Sequence, residues 1–93
     1  MKKLLYKFHW DCGRMGDVTS VFIATEARVK AAIGREVYFG EILGKHSEVF
    51  GTLDESDLTV VTDDQDFVEK MEKYVGTSTG HNPLEYLQEE ENE

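Results

Sequence analysis

The stretch Leu4–Thr25, LLYKFHWDCGRMGDVTSVFIAT, decides how the rest of the chain is read. In LLYKFHW, Leu4, Tyr6, Phe8 and Trp10 share one parity. Lys3, Lys7 and His9 take the other parity together with Leu5. A period of two with one apolar face is the pattern of a half-buried strand. VTSVFIAT, 18–25, is rich in β-branched residues and reads as a second strand. Between them DCGRMGD, 11–17, carries Gly13 and Gly16, which admit backbone angles closed to other residues. The two strands are expected to form a hairpin across it.

Working outward, Thr25 is an N-cap for a short helix that Gly34 stops, with Glu26 in its first turn and Val29, Ala32 and Ile33 on one stripe. EVYFGEIL, 36–43, and EVFGTL, 48–53, read as third and fourth strands, each interrupted by a glycine. Gly40 implies a bulge or a close neighbour. DESD, 54–57, is a turn and LTVVT, 58–62, a fifth strand. Thr62-Asp63-Asp64-Gln65 fits a capping box. Phe67, Val68, Met71, Tyr74 and Val75 follow on one apolar helical face that Gly76 ends. TSTGH, 77–81, reads as a connector. Asn82-Pro83-Leu84-Glu85 opens a last short helix, anchored by Leu84 and Leu87, before a frayed acidic tail.

The order is ββαβββα plus a short helix. It predicts an α+β domain, a mostly antiparallel sheet of about five strands with helices on one face. Residues 1–81 form the domain; 82–93 are the short helix and acidic tail. Counting strand directions puts loop 11–17 and DESD at one end, with Arg14 beside DESD. The same count puts GKHS, 44–47, and with it the start of the fourth strand, at the other end beside TDDQD.

The 93 residues carry a net charge of −9. The imbalance is local. Residues 1–53 hold eight Lys/Arg against six Asp/Glu, whereas 54–93 hold two Lys against thirteen acids. Such a half repels nucleic acid and favours a basic protein surface, and it also keeps a small domain soluble. The single cysteine excludes an internal disulfide and fits a reducing compartment. The apolar run after Lys2-Lys3 is too short for a secretory leader, and no stretch approaches a membrane span. A cytoplasmic protein without membrane contact is expected.

Chemistry-bearing residues are few. His9 and Cys12 give H-x-x-C, half of what a structural zinc site needs, so neither metal nor cofactor is expected. Cys12 is a nucleophile only with a base in reach, which His9 would supply, and a cation such as Arg14 to favour the thiolate. The Gly-rich loops 11–17 and 40–48 offer anion cradles through Arg14 and through Lys45, His46 and Ser47. They match neither the dinucleotide nor the P-loop pattern. Glu41, His46 and Glu48 lie close enough in sequence for acid–base work, because imidazole beside carboxylate titrates near neutrality. The same Lys45-His46-Ser47-Glu48 run also serves as a hairpin turn.

Two readings follow. The first is a non-enzymatic binding or regulatory protein. It acts by protein–protein contact through Asp54, Glu55, Asp57, Asp63, Asp64, Asp66, Glu69 and Glu72. Its size and charge are those of small inhibitors of phage or mobile-element type, some of which set carboxylates where a target expects phosphates. The second is a binder of small anions or nucleotides, or a small enzyme, using Cys12, Arg14, Glu41, Lys45, His46, Ser47 and Glu48.

Overall fold

The structure is a computed structural model and describes residues 2–44 and 48–88. Eight regular elements follow in order: β1 (Lys3–Asp11), β2 (Asp17–Thr25), α1 (Glu26–Ala32), β3 (Glu36–Gly40), β4 (Val49–Thr52), β5 (Leu58–Thr62), α2 (Gln65–Tyr74) and β6 (Ser78–Gly80). Single 3-10 turns occur at Gly13–Met15, Glu55–Asp57 and Pro83–Glu85. The class is α+β with antiparallel pairing throughout, but the strands divide between two sheets. One has the order β5-β1-β2-β6; the other is the ribbon β3-β4.

β1 and β2 pair over their whole length, from Lys3 opposite Thr25 to Asp11 opposite Asp17. That register stacks like parity on like parity. Leu4, Tyr6 and Phe8 join Val18, Phe22 and Ala24 on one face, with Trp10 against them, in the main core. Leu5 and Ile23 share the opposite face with Val68, and Val21 and Met71 flank them.

The helices lie on opposite faces rather than on one. α1 places Val29 and Ala32 in the main core, while α2 places Val68 over Leu5 and Ile23. Length explains the arrangement. A seven-residue helix spans about 10 Å, against roughly 30 Å for a nine-residue strand, so α1 leaves most of the main face uncovered. The ribbon β3-β4 closes the remainder with Val37, Phe39 and Val49. Rings cluster where it does so: Phe8–Trp10 at 5.1 Å, Trp10–Phe39 at 5.6 Å and Phe39–Tyr86 at 4.9 Å between centroids.

Because the ribbon packs on the sheet as a separate pair instead of joining it, strand directions do not carry through residues 36–52. Glu48 and Val49 therefore sit beside Trp10, Asp11 and Cys12, at the end assigned to loop 11–17 and opposite to the one expected. The bulge expected at Gly40 is present: register shifts between Tyr38 and Gly40, whose φ is +81°.

Further differences concern the second half. The N-cap of α2 is Asp64, whose side chain accepts from the Asp66 amide; Thr62 accepts from the Asp64 amide instead. Gln65 donates to the main-chain carbonyls of Lys3 and Asp63, tying the helix to β1. Phe67, Tyr74 and Val75 stay exposed, because a ten-residue helix crossing a sheet rests on it by only Val68 and Met71. The connector at 77–81 contains β6, paired with β2. Gly80, at φ +74°, lies so close to β2 that a Cβ there would meet the Thr19 carbonyl at 2.9 Å. The last segment is a 3-10 turn rather than an α-helix. Its Pro83 and Leu84 are buried, Leu87 bridges to Val37, and the Tyr38 and Gln88 amides donate to Tyr86 and Glu36.

Phe8 has no exposed surface and touches both the sheet core and the ribbon. Phe8→Ala is expected to cost about 3–5 kcal/mol, the usual penalty for emptying a buried aromatic site. Urea unfolding of the two proteins measures it.

Candidate functional site

The His9–Cys12 pair does not assemble. His9 lies on the parity opposite to Trp10, and its Nε2 is 3.1 Å from Asp17 Oδ2 in an exposed depression shared with Lys7, Thr19 and Asp57. Cys12 is half-buried in a different depression, with Trp10, Val49 and Phe50. Burial, then the charges of Asp11 and Asp17, push its thiol above the usual range. This is the reverse of what an activated nucleophile needs. No group of three or more His, Cys, Asp or Glu suited to a metal occurs among the described residues.

Three amides of loop 11–17 are spent internally, which leaves fewer of them for an anion. The Cys12 N–H donates to Gly16 O, the Gly16 N–H to Gly13 O, and the Gly13 N–H to the Asp11 carboxylate. Arg14 is exposed and makes no ion pair among the described residues. In the second loop, Lys45, His46 and Ser47 lie outside the described residues. Glu48 accepts a hydrogen bond from the Tyr38 hydroxyl. That bond pushes the Tyr38 phenol up, helped by burial and by the charges of Glu48 and Glu41. Tyr38 also stacks on Phe50 at 6.2 Å. Glu48 thus holds the ribbon's outer face, and Glu41 follows β3 in an exposed bend.

The acidic residues divide into three kinds. Asp54 and Asp57 build a reciprocal cap around the turn at 55–57. Asp54 accepts from the Ser56 amide and hydroxyl, and Asp57 Oδ2 accepts from the Asp54 amide at 2.9 Å. The same Asp57 oxygen accepts from the Trp10 indole N–H at 2.8 Å, fixing β5 to the end of β1. DESD is therefore at the end expected, but it meets Trp10 there rather than Arg14.

A second kind forms exposed ion pairs: Asp63 with Lys2 at 3.1 Å, Glu72 with Lys3 at 3.1 Å and Asp66 with Lys70 at 3.3 Å. Such pairs contribute about 0–1 kcal/mol and exchange readily for another cation. Asp64 caps α2. Glu55 and Glu69 form the third kind, exposed and without an ion pair among the described residues.

The exposure of the apolar side chains among these carboxylates was not legible from periodicity. Val60 and Val61 on β5, then Phe67, Tyr74 and Val75 along α2, are all at least half exposed. A helical stripe was legible; that only its middle touches the sheet was not.

Two outcomes follow from these environments. Hydrogen bonds from the Ser56 hydroxyl and amide hold the Asp54 carboxyl below its ordinary range, against a smaller opposing effect of burial. A depressed carboxyl stabilises the fold fully above its unfolded value, about 3.9, and the gain is lost as pH falls through the lower folded value. Asn also caps, so the melting difference between wild type and Asp54→Asn is expected to be flat from pH 7 to about 5 and to shift against wild type below about 4. Cys12 is expected to react with iodoacetamide at neutral pH several-fold more slowly than a thiol in an unfolded peptide, as followed by mass spectrometry.

Comparison with protein-family models, curated proteins and solved structures finds no match to this chain.

Proposed function

We propose that this chain is a non-enzymatic binding domain acting by protein–protein contact. Residues 54–75 supply the acidic and exposed apolar side chains that meet a partner with a basic surface, Val60 on the α1 side of the sheet and α2 on the other. The observation that carries this reading is a coincidence of two properties. Of the seven large apolar side chains exposed among the described residues, five lie in the acidic stretch: Val60, Val61, Phe67, Tyr74 and Val75.

Apolar side chains rimmed by charge are the usual build of a contact surface. In that division of labour, Glu55 and Glu69 supply field to draw a cationic partner and raise its association rate. Phe67 is half exposed and Tyr74 three-quarters exposed, so their burial on contact supplies affinity. The ion pairs of Asp63, Asp66 and Glu72 do not oppose binding, since a partner's lysine or arginine replaces one exposed cation with another.

The test uses two double variants, Glu55→Lys with Glu69→Lys and Phe67→Ser with Tyr74→Ser. Neither pair touches the main core, so melting is expected to stay near wild type. A partner captured by the wild-type domain and then purified is expected to bind each variant at least tenfold more weakly, about 1.4 kcal/mol. The charge variant loses chiefly association rate and salt dependence. Retention of full affinity by both variants overturns the reading.

A further inference from the structure

β5 is an end strand. β1 pairs along one of its edges, and among the described residues no strand pairs along the other. The main-chain N–H and C=O groups of a free edge are a template for a further strand. Beside this edge the surface is hollowed. A groove of about 280 Å3 separates β5 from α1, lined by the apolar Tyr6, Val29, Ile33, Leu58 and Val60. The charged Glu26, Lys30 and Glu55 border it as well, two acids against one base. A strand added to β5 places every second side chain on the face where Leu58 and Val60 lie, over that groove.

The ends of β5 set the chemistry of the occupant. Asp54, Glu55 and Asp57 precede the strand, and Asp63 and Asp64 follow it. The strand's five residues separate the two clusters by roughly 17 Å. The geometry points to strand addition at the free edge of β5 by an extended segment of a partner protein, basic at both ends and apolar at alternate positions between. The partner's main chain pairs with Leu58–Thr62. Its apolar side chains enter the groove against Tyr6 and Val29. Its cations face the two acidic clusters.

The same clusters turn the edge away from a second copy of this chain. Antiparallel pairing of two copies about Val60 sets Asp57 of one opposite Asp63 of the other, twice by symmetry. Parallel pairing sets residues 54–57 against themselves. Like charges directly opposite across a ladder are destabilising. The register shift in the β1–β5 ladder between Leu5 and Tyr6 further limits long flat pairing. A short basic-flanked segment escapes the charge repulsion, and it need pair over only the few residues of β5 itself.

This inference rests on the acidic half being a contact surface, and its test separates the two. The probe is a synthetic peptide, Thr-Val-Thr-Val-Thr with two lysines at each end, titrated at low salt into the isotopically labelled full chain. One control replaces the lysines by glutamates. Another N-methylates alternate main-chain nitrogens, so that the peptide cannot add as a strand while its charge is unchanged. Amide exchange at the outward-facing N–H groups of Leu58–Thr62 is expected to slow at least tenfold with the parent peptide. Both controls are expected to bind at least tenfold more weakly.

Binding that ignores N-methylation and maps to Phe67 and Tyr74 overturns strand addition and leaves the acidic surface standing. Absence of protection at Leu58–Thr62 at millimolar peptide overturns strand addition as well. Protection that rises with protein concentration alone makes a second copy the occupant and overturns the proposal.

Discussion

β1 is covered on both faces and paired on both edges, and the rest of the molecule is arranged around that constraint. Leu4, Leu5 and Tyr6 are buried in succession, so parities that would normally divide between core and water both need cover. Neither helix is long enough to supply it alone. The main face takes α1 and the ribbon β3-β4; the other takes α2 at one end only. Where cover stops, at Lys7 and His9, the sequence turns polar. The ribbon is in turn held down by Tyr86, Leu87 and Gln88. One strand's two-sided burial thus accounts for the split sheet, the opposed helices and the docked C-terminal segment.

The Trp10–Asp57 hydrogen bond links this core to the acidic half. The indole lies in the ring cluster, and its N–H needs an acceptor in a partly buried place. Asp57 supplies it while also closing the cap of its own turn. A carboxylate that belongs by charge to the acidic surface is therefore a structural member of the fold. The division of acids into cap, ion pair and uncommitted groups decides which ones a partner meets.

Much of this was legible in the sequence because it is local. Alternation in Leu4–Trp10 and β-branching in 18–25 fixed the hairpin and its core face. Thr25 capped the helix it was expected to cap, and Gly40 marked a real bulge. What was not legible depends on distance through space. Nothing in EVYFG or VFGT distinguishes a strand inside a sheet from one packed on it. Direction counting therefore failed at the ribbon and placed Glu48 at the wrong end. Ser78–Gly80 is too short and polar to announce a strand; it pairs because β2 has an edge to offer. In the candidate site, the acids were legible by composition. Their commitments to Trp10, Lys2 and Lys3 came from partners nearly fifty or more positions away.

The neighbours of β1 reach it from very different chain distances. β2 follows after a five-residue connection, whereas β5 comes some fifty residues later, with Leu58 opposite Phe8. The segment that pins the ribbon comes later still. On a ribosome, where synthesis runs from the N-terminus at roughly 5–20 residues per second, the β1–β2 hairpin emerges with its aromatic face and both outer edges bare, since β5 and β6 come later. It stays so for some seconds before its covers exist. Until then the nascent chain presents a naked apolar hairpin to its surroundings, so the hazard of mispairing is concentrated in the interval between the hairpin and β5.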